Sequence, residues 1–412
     1  MAQLAIQGGS PVRTRPIPPW PVFDERDEQA LLNTLHSREW GIGAHAIDSF
    51  EHEFAIFCGA NHAVTCTNGT DAIYIAMQAL GIGPGDEVII PPYTFIATAI
   101  GVLMAGAVPV FADIHPKTCN IDPEAVRAVI TPRTKAIIPV HIAGNPADLD
   151  GILSIAKEHN LLVMEDAAQA HGAEWRNQRV GPLGHLGTFS FQSSKNLSSG
   201  EGGALVTNDE EIAERVRTFV NCGRVKGGAW YDHHELAGNH RLGAFQAALL
   251  RVGLERIEEQ MQHRSENACY LARRLEEIEG IEMMGVHDGC TRHAYHLCVL
   301  HYDAESFGGV SKPHFVKALA QEGIDCADGY LPLYRYHYFQ HFAEKTPAYE
   351  TLYKGRADYR QVNCPVVERI CNHEALWIFH EMLLDDRRGI DDIAEAILKI
   401  QRNIDELRME VA

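Results

Sequence analysis

The chain has 412 residues, 46% of them hydrophobic, enough for one large and one smaller domain and too much for a short module. Its 36 basic against 55 acidic residues give a formal charge of -19, which repels nucleic-acid phosphates and anionic membranes and argues against both as partners. Residues 1–19 lack the apolar core of a signal peptide and no later run is long enough to span a bilayer; with ten cysteines and no Cys-x-x-Cys, the expected location is the reducing cytoplasm.

Residues 1–24 read as an N-terminal arm. From about residue 60 to 210, short β-branched runs at 63–66, 87–90, 108–112, 135–140, 161–165, 188–191 and 204–207 alternate with segments of helical period. Their nearly continuous apolar character predicts an α/β fold with a mostly parallel central sheet covered on both faces. Ile73, Ala76, Met77 and Leu80 fall on one helix face, and Asp122-Pro123 reads as an N-cap with proline at the first helical position. Gly81, Gly83 and Gly85 follow a helix and precede a strand, the wrong order for a dinucleotide loop, and read as a turn. The large domain is assigned to 25–262. Residues 263–412 form a smaller C-terminal α+β domain, with a strand at 294–301, a helix at 312–321 and a final helix at 390–407 whose apolar stripe runs from Ile390 to Leu407.

Three segments carry chemistry. Asn68-Gly69-Thr70 follows a strand and opens a helix, so free N–H groups and a hydroxyl at the sheet end suit a phosphate; an N-cap with a turn glycine fits equally. In the run from Val163 to Gly172 an apolar strand ends in Glu165 and Asp166 at the edge where open α/β sheets bind ligands. A carboxylate there can hold a protonated pyridine nitrogen and Gln169 can reach a ring hydroxyl, and Asp166 suits a helix N-cap equally well. The third segment, from Thr188 to Gly203, sets Lys195 in a loop rich in Ser and Gly, a setting for a Schiff base with an aldehyde cofactor; a solvated loop lysine is the plain alternative.

Asn68-Gly69-Thr70, Pro92-Tyr93-Thr94-Phe95, Glu165-Asp166-Ala167-Ala168-Gln169 and Ser190-Phe191-Gln192-Ser193-Ser194-Lys195 stand in the order found in the DegT/DnrJ/EryC1/StrS aminotransferases, which the chain resembles over nearly its whole length. The resemblance implies the fold-type I architecture of pyridoxal 5′-phosphate (PLP) transferases and a homodimer with shared active sites. It makes Lys195 the Schiff-base lysine and catalytic base, Asp166 the partner of the pyridine nitrogen and Gln169 a contact of the ring oxygen. Gly69, Thr70 and Ser190 hold the phosphate, and Phe95, or else nearby Tyr93, covers the cofactor face. Asn239, in Gly238-Asn239-His240-Arg241, reaches the neighbouring subunit's phosphate. The implied reaction moves an amino group from L-glutamate or L-glutamine to the ketone of a cyclitol or nucleotide-linked sugar. Segments 139–144, 307–309 and 330–334 look closest to the scyllo-inosose aminotransferases and 3-amino-5-hydroxybenzoate synthases, with Tyr93, His141, Arg241 and Tyr330 as candidate substrate contacts; His141 equally suits a strand end.

Two other readings remain open: a dehydratase of the aminohydroxybenzoate-synthase kind, which also keeps the lysine, and a sensing protein on the same scaffold, against which the intact set Asp166, Gln169 and Lys195 argues. No metal site is assigned. The 22 histidines include the adjacent pair His233-His234, which cannot share a helix face.

Overall fold

A computed structural model describes residues 3–353, 355 and 357–408. Seven strands form the main sheet: β1 (His62–Cys66), β2 (Glu87–Ile90), β3 (Val108–Phe111), β4 (Thr134–Ile137), β5 (Leu162–Asp166), β6 (Leu186–Ser190) and β7 (Gly203–Thr207). Their order is β1-β7-β6-β5-β4-β2-β3, and every pair is parallel except those of β7, which runs antiparallel to both β1 and β6. Each predicted run supplies one strand, with ends shifted by a few residues. The exception to parallel order has a local cause. The segment between β6 and β7 is short and rich in Ser and Gly and forms no crossover helix, so the chain turns straight back.

That return aligns the site. Cys66 at the end of β1 and Ser190 at the end of β6 both pair with Gly203, and Asp166 of β5 pairs with Thr188 of β6. The carboxyl ends of β1, β5 and β6 therefore meet at one edge. Gly203 has to be glycine for this approach, since a Cβ there would lie 2.5 Å from the Asn68 carbonyl oxygen.

A second, antiparallel sheet consists of β8 (Ile281–Met283), β9 (Leu297–Tyr302), β10 (Cys326–Ala327) and β11 (Ala375–Phe379) in the order β8-β9-β11-β10. The strand predicted from 294 starts at Leu297 because Tyr295 takes a positive φ of 48° and Ala294 N–H bonds instead to the Gly144 carbonyl. The predicted final helix is two, Arg387–Arg402 and Ile404–Arg408; between them the Asn403 side chain donates to the Lys399 carbonyl. The helix Ala244–Leu275 runs unbroken through position 262; Ile257 and Met261 pack into the core under the main sheet, and Leu271 and Leu275 into the core of the second sheet.

The N-terminal segment is pinned to the second sheet's layer. Leu4 is buried in that core, and the carboxylate of buried Glu322 accepts from Ala5 N–H (2.9 Å), Val12 N–H (3.0 Å) and Lys399 Nζ (2.8 Å). Arg13 pairs with Asp385 at 2.8 Å. Removing the Glu322 carboxylate strands two backbone donors at once and leaves Lys399 with the Ser10 carbonyl (2.8 Å). Glu322→Ala is expected to lower unfolding free energy by about 2–4 kcal/mol, measured as a drop in denaturant midpoint at constant m value.

Candidate active site

A cavity of about 1170 Å³ opens at the carboxyl edge of the main sheet and is walled on its far side by the second sheet. Lys195 enters it from the β6–β7 loop. That loop is held by two side chains from elsewhere: Trp20 Nε1 donates to the Ser193 carbonyl (3.0 Å) and His380 Nε2 to the Ser194 carbonyl (3.0 Å). His380 Nδ1 then accepts from the fully buried Arg264 (3.1 Å), and burial keeps this imidazole neutral.

The Lys195 amine lies 3.5 Å from His296 Nε2. Asn196 Nδ2 donates to the Ala294 carbonyl (2.8 Å), which turns its Oδ1 toward His296 Nδ1 at 3.4 Å. The imidazole thus carries its proton on Nδ1 and presents Nε2 as an acceptor to the lysine. Burial, then the neighbouring Lys195, hold His296 well below its usual pKa, so it accepts a hydrogen bond without taking the proton. Burial also brings Lys195 down to about 8, against the opposing pull of Asp166.

Asp166 closes β5 on the opposite wall. Its Oδ2 accepts from the Thr98 hydroxyl (2.8 Å) and its Oδ1 from Ala168 N–H (3.2 Å), while Thr98 exchanges a hydrogen bond with Thr94 (2.9 Å). Both threonines are 1% exposed. Burial lifts the Asp166 carboxyl above its usual range despite these donors, so a nearby cation gains strongly there. Gln169 is oriented by Ala143 N–H, which donates to its Oε1 (2.7 Å) and leaves Nε2 to face the cavity and the Tyr330 hydroxyl (3.2 Å).

At the end of β1, Asn68 caps the helix Gly69–Ala79 through Asp71 N–H (2.8 Å). The N–H groups of Gly69 and Thr70 bond to no other group among the described residues, and a Cβ at Gly69 would meet the Ser190 Cβ at 2.7 Å. Helix start, Thr70 and Ser190 thus form an anion cradle. Cradle, buried carboxylate, oriented amide and low-pKa lysine form a donor set that fits PLP.

Phe95 and Tyr330 also line the cavity, Phe95 56% exposed. Tyr93 does not; it is buried and its hydroxyl accepts from Trp377 Nε1 (2.9 Å). His141 is likewise turned into the core as a strand-end residue. Its Nε2 donates to Glu165 (3.0 Å) and its Nδ1 accepts from Ala147 N–H (3.0 Å). Asn239 and Arg241 lie outside this cavity, Asn239 exposed and Arg241 donating to Asn221 (3.0 Å). Residues the sequence reading passed over, Trp20, Thr98, His296, His380 and Glu381, all line it. Only Thr98 carries a local signal, a hydroxyl four residues after Thr94 in an otherwise apolar helix start.

Fold and site together define a fold-type I PLP-dependent aminotransferase. The chain belongs to the DegT/DnrJ/EryC1/StrS aminotransferase family, whose model matches residues 21–383. It is 41% identical, over 99% of its length and the whole of the relative, to a putative L-glutamine:3-amino-2,3-dideoxy-scyllo-inosose aminotransferase of Streptoalloteichus tenebrarius. An L-glutamine:2-deoxy-scyllo-inosose aminotransferase of the same organism is 37% identical over 98% of this chain and 99% of that one. Among solved structures, a crystal structure of 3-amino-5-hydroxybenzoic acid synthase superposes with a TM-score of 0.83 at 33% identity, covering 94% of this chain and 99% of the other. Among the described residues no helix is long and apolar enough to cross a membrane.

The Lys195 environment makes a direct prediction. In cofactor-free protein, acylation of Lys195, followed by peptide mass mapping, is expected to rise with pH about a midpoint near 8. A midpoint near the ordinary lysine value of about 10.4 would contradict the burial argument.

Proposed function

We propose that this enzyme transfers the amino group of L-glutamine, or L-glutamate, to the ketone of a cyclitol, through PLP carried on Lys195. The observation that carries the reading is the convergence of Lys195, Asp166, Gln169 and the anion cradle on one cavity. Once bound, PLP supplies an aldehyde that takes up an amine and a conjugated ring that withdraws electrons. Gly69, Thr70 and Ser190 would hold the phosphate, Phe95 would lie against the ring, and the free Nε2 hydrogen of Gln169 would serve the ring oxygen. Asp166, fixed by Thr98 and Thr94, would keep a proton on the pyridine nitrogen.

Lys195 moves the other proton. With its pKa brought down to about 8 the amine loses its proton far more readily than an ordinary lysine, and its N–H directed to His296 leaves the lone pair for the donor Cα. The proton taken there would be held on Lys195 Nζ, ready for return during the transfer. In the second half-reaction the same nitrogen runs the transfer in reverse and protonates the former ketone carbon of the acceptor.

Charge favours a cyclitol over a nucleotide-linked sugar. Among the described residues Lys195 is the one lysine or arginine lining the cavity, against Asp71, Asp166, Glu201 and Glu381, a poor wall for a diphosphate. The keto-cyclitol aminotransferase at 41% identity, against 34% for a 3-amino-5-hydroxybenzoate synthase, supports transamination over the aminohydroxybenzoate-synthase reading. The sensing alternative leaves the low-pKa lysine without a use. The names of the relatives support a keto-cyclitol acceptor and glutamine as donor. We take the working form to be a cytoplasmic homodimer. Its support is the segment bearing exposed Trp230, Tyr231 and Leu236 next to Asn239 and Arg241, which suits it to complete a neighbour's site with an amide for the phosphate and a cation for the donor carboxylate.

An absorbance titration tests the reading: PLP should produce a visible lysine-bound band that L-glutamine bleaches and a keto-cyclitol restores, with no band in Lys195→Ala. Failure of the native protein to take up PLP would bring the sensing alternative forward. Thr98→Val should weaken PLP binding about tenfold, the worth of one hydrogen bond to a charged group, and Thr98→Ser should recover most of it.

A further inference from the structure

We propose that Glu381 is a specificity residue that binds an ammonium substituent on the acceptor, so that the preferred substrate is a keto-cyclitol already bearing one amino group. The inference rests on the cyclitol reading above and goes beyond it to a substituent and the side chain that reads it.

Glu381 lies in the short turn His380–Leu384 just after β11 and lines the same cavity as Lys195. Its side chain is 22% exposed; its one ion-pair-type contact among the described residues is His380 Nε2 at 3.6 Å, and the charge of Asp325 also bears on it. That nitrogen is not a cation. Burial keeps the imidazole neutral, and its Nε2 proton goes to the Ser194 carbonyl. Arg264 attracts Glu381 from a distance but directs its hydrogen bond to His380 Nδ1 and makes no ion pair with the carboxylate among the described contacts.

A half-buried carboxylate without a cation is a costly arrangement, and burial indeed lifts the Glu381 carboxyl above its usual range. An arriving ammonium would repay that cost, whereas a hydroxyl would recover little of it. The walls around it suit the same group. Trp20, whose ring meets His380 edge-on at 4.6 Å, and Phe379 line the cavity beside Glu381, and Trp377 packs edge-on against Tyr330 at 4.5 Å. The Trp20 ring already carries the Arg264 guanidinium at 5.1 Å, and Phe379 and Trp377, which also line the cavity, supply apolar surface for a carbocyclic ring.

The donor's own amine does not satisfy Glu381, because that nitrogen is bound at the reacting carbon near Lys195. A glutamine carboxamide is a rival occupant, so the test separates donor from acceptor.

The experiment compares kcat/KM of the holoenzyme for 3-amino-2,3-dideoxy-scyllo-inosose and for 2-deoxy-scyllo-inosose, which differ at the substituent in question. The wild type is expected to favour the amino ketone by about 10- to 100-fold, the range for a hydrogen bond to a charged group. Glu381→Gln should bring the ratio close to one and Glu381→Asp should keep part of it. Calorimetric binding of the corresponding diamino and monoamino products to wild type and variant should follow the same pattern without relying on turnover. A wild-type ratio near one, a ratio untouched by Glu381→Gln, or a change in the glutamine-to-glutamate ratio instead would overturn the assignment while leaving the cyclitol reading intact. If glutamine converts the cofactor but neither ketone is aminated, the cyclitol reading falls and this inference with it.

Discussion

The site depends on the way the chain leaves β6. In a parallel sheet a strand is normally followed by a helix that carries the chain back to the opposite edge. Here the Ser- and Gly-rich segment returns at once as β7, and its loop stays at the edge where β1, β5 and β6 also end. A lysine on that loop is fixed near the helix start at Gly69 and near Asp166 by backbone pairing rather than by its own flexible stem. The remaining features, from the two carbonyls held by Trp20 and His380 to the tautomer of His296, refine a position that the sheet register has already set.

Electrostatics explains why these groups can work together in a confined space. Lys195, His296 and His380 are close enough that three full positive charges would repel strongly, and burial disfavours each of them. Both imidazoles remain neutral and serve as directional hydrogen-bond partners. The lysine is left nearest to titration, and Asp166 stands on the opposite wall as the acid whose attraction raises its pKa. Four titratable groups thus perform separate roles because only one of them exchanges protons easily.

The sequence carried most of this architecture where the signal is local. Short apolar runs gave the seven strands of the main sheet, and Asn68-Gly69-Thr70, Asp166, Gln169, Ser190 and Lys195, each next to a strand end, all reach the cavity. Side-chain direction was less legible. Tyr93 and His141 also sit beside strand ends, but their polar atoms are engaged by Trp377, Glu165 and Ala147 inside the core. Trp20, His296, His380 and Glu381 come from the N-terminal segment and the second sheet, far along the chain from Lys195, and nothing in their flanking residues announces the contact. The long helix Ala244–Leu275 has apolar residues spread along its length, so periodicity gave no hint that its two ends serve different cores.

The division of labour between the two walls bears on how such an enzyme can change over evolutionary time. Lys195, Asp166 and the anion cradle hang from the main sheet, where Gly69 and Gly203 leave no room for a larger side chain. The opposite wall is borrowed from Trp20 and from the turn after β11. Substitutions beside the two clamps Trp20 and His380, at Pro21, Phe379 or Glu381, can remodel the compartment while the sheet register and the hold on the Lys195 loop stay intact. One ancestral scaffold can in this way diversify its products by drift in a handful of codons.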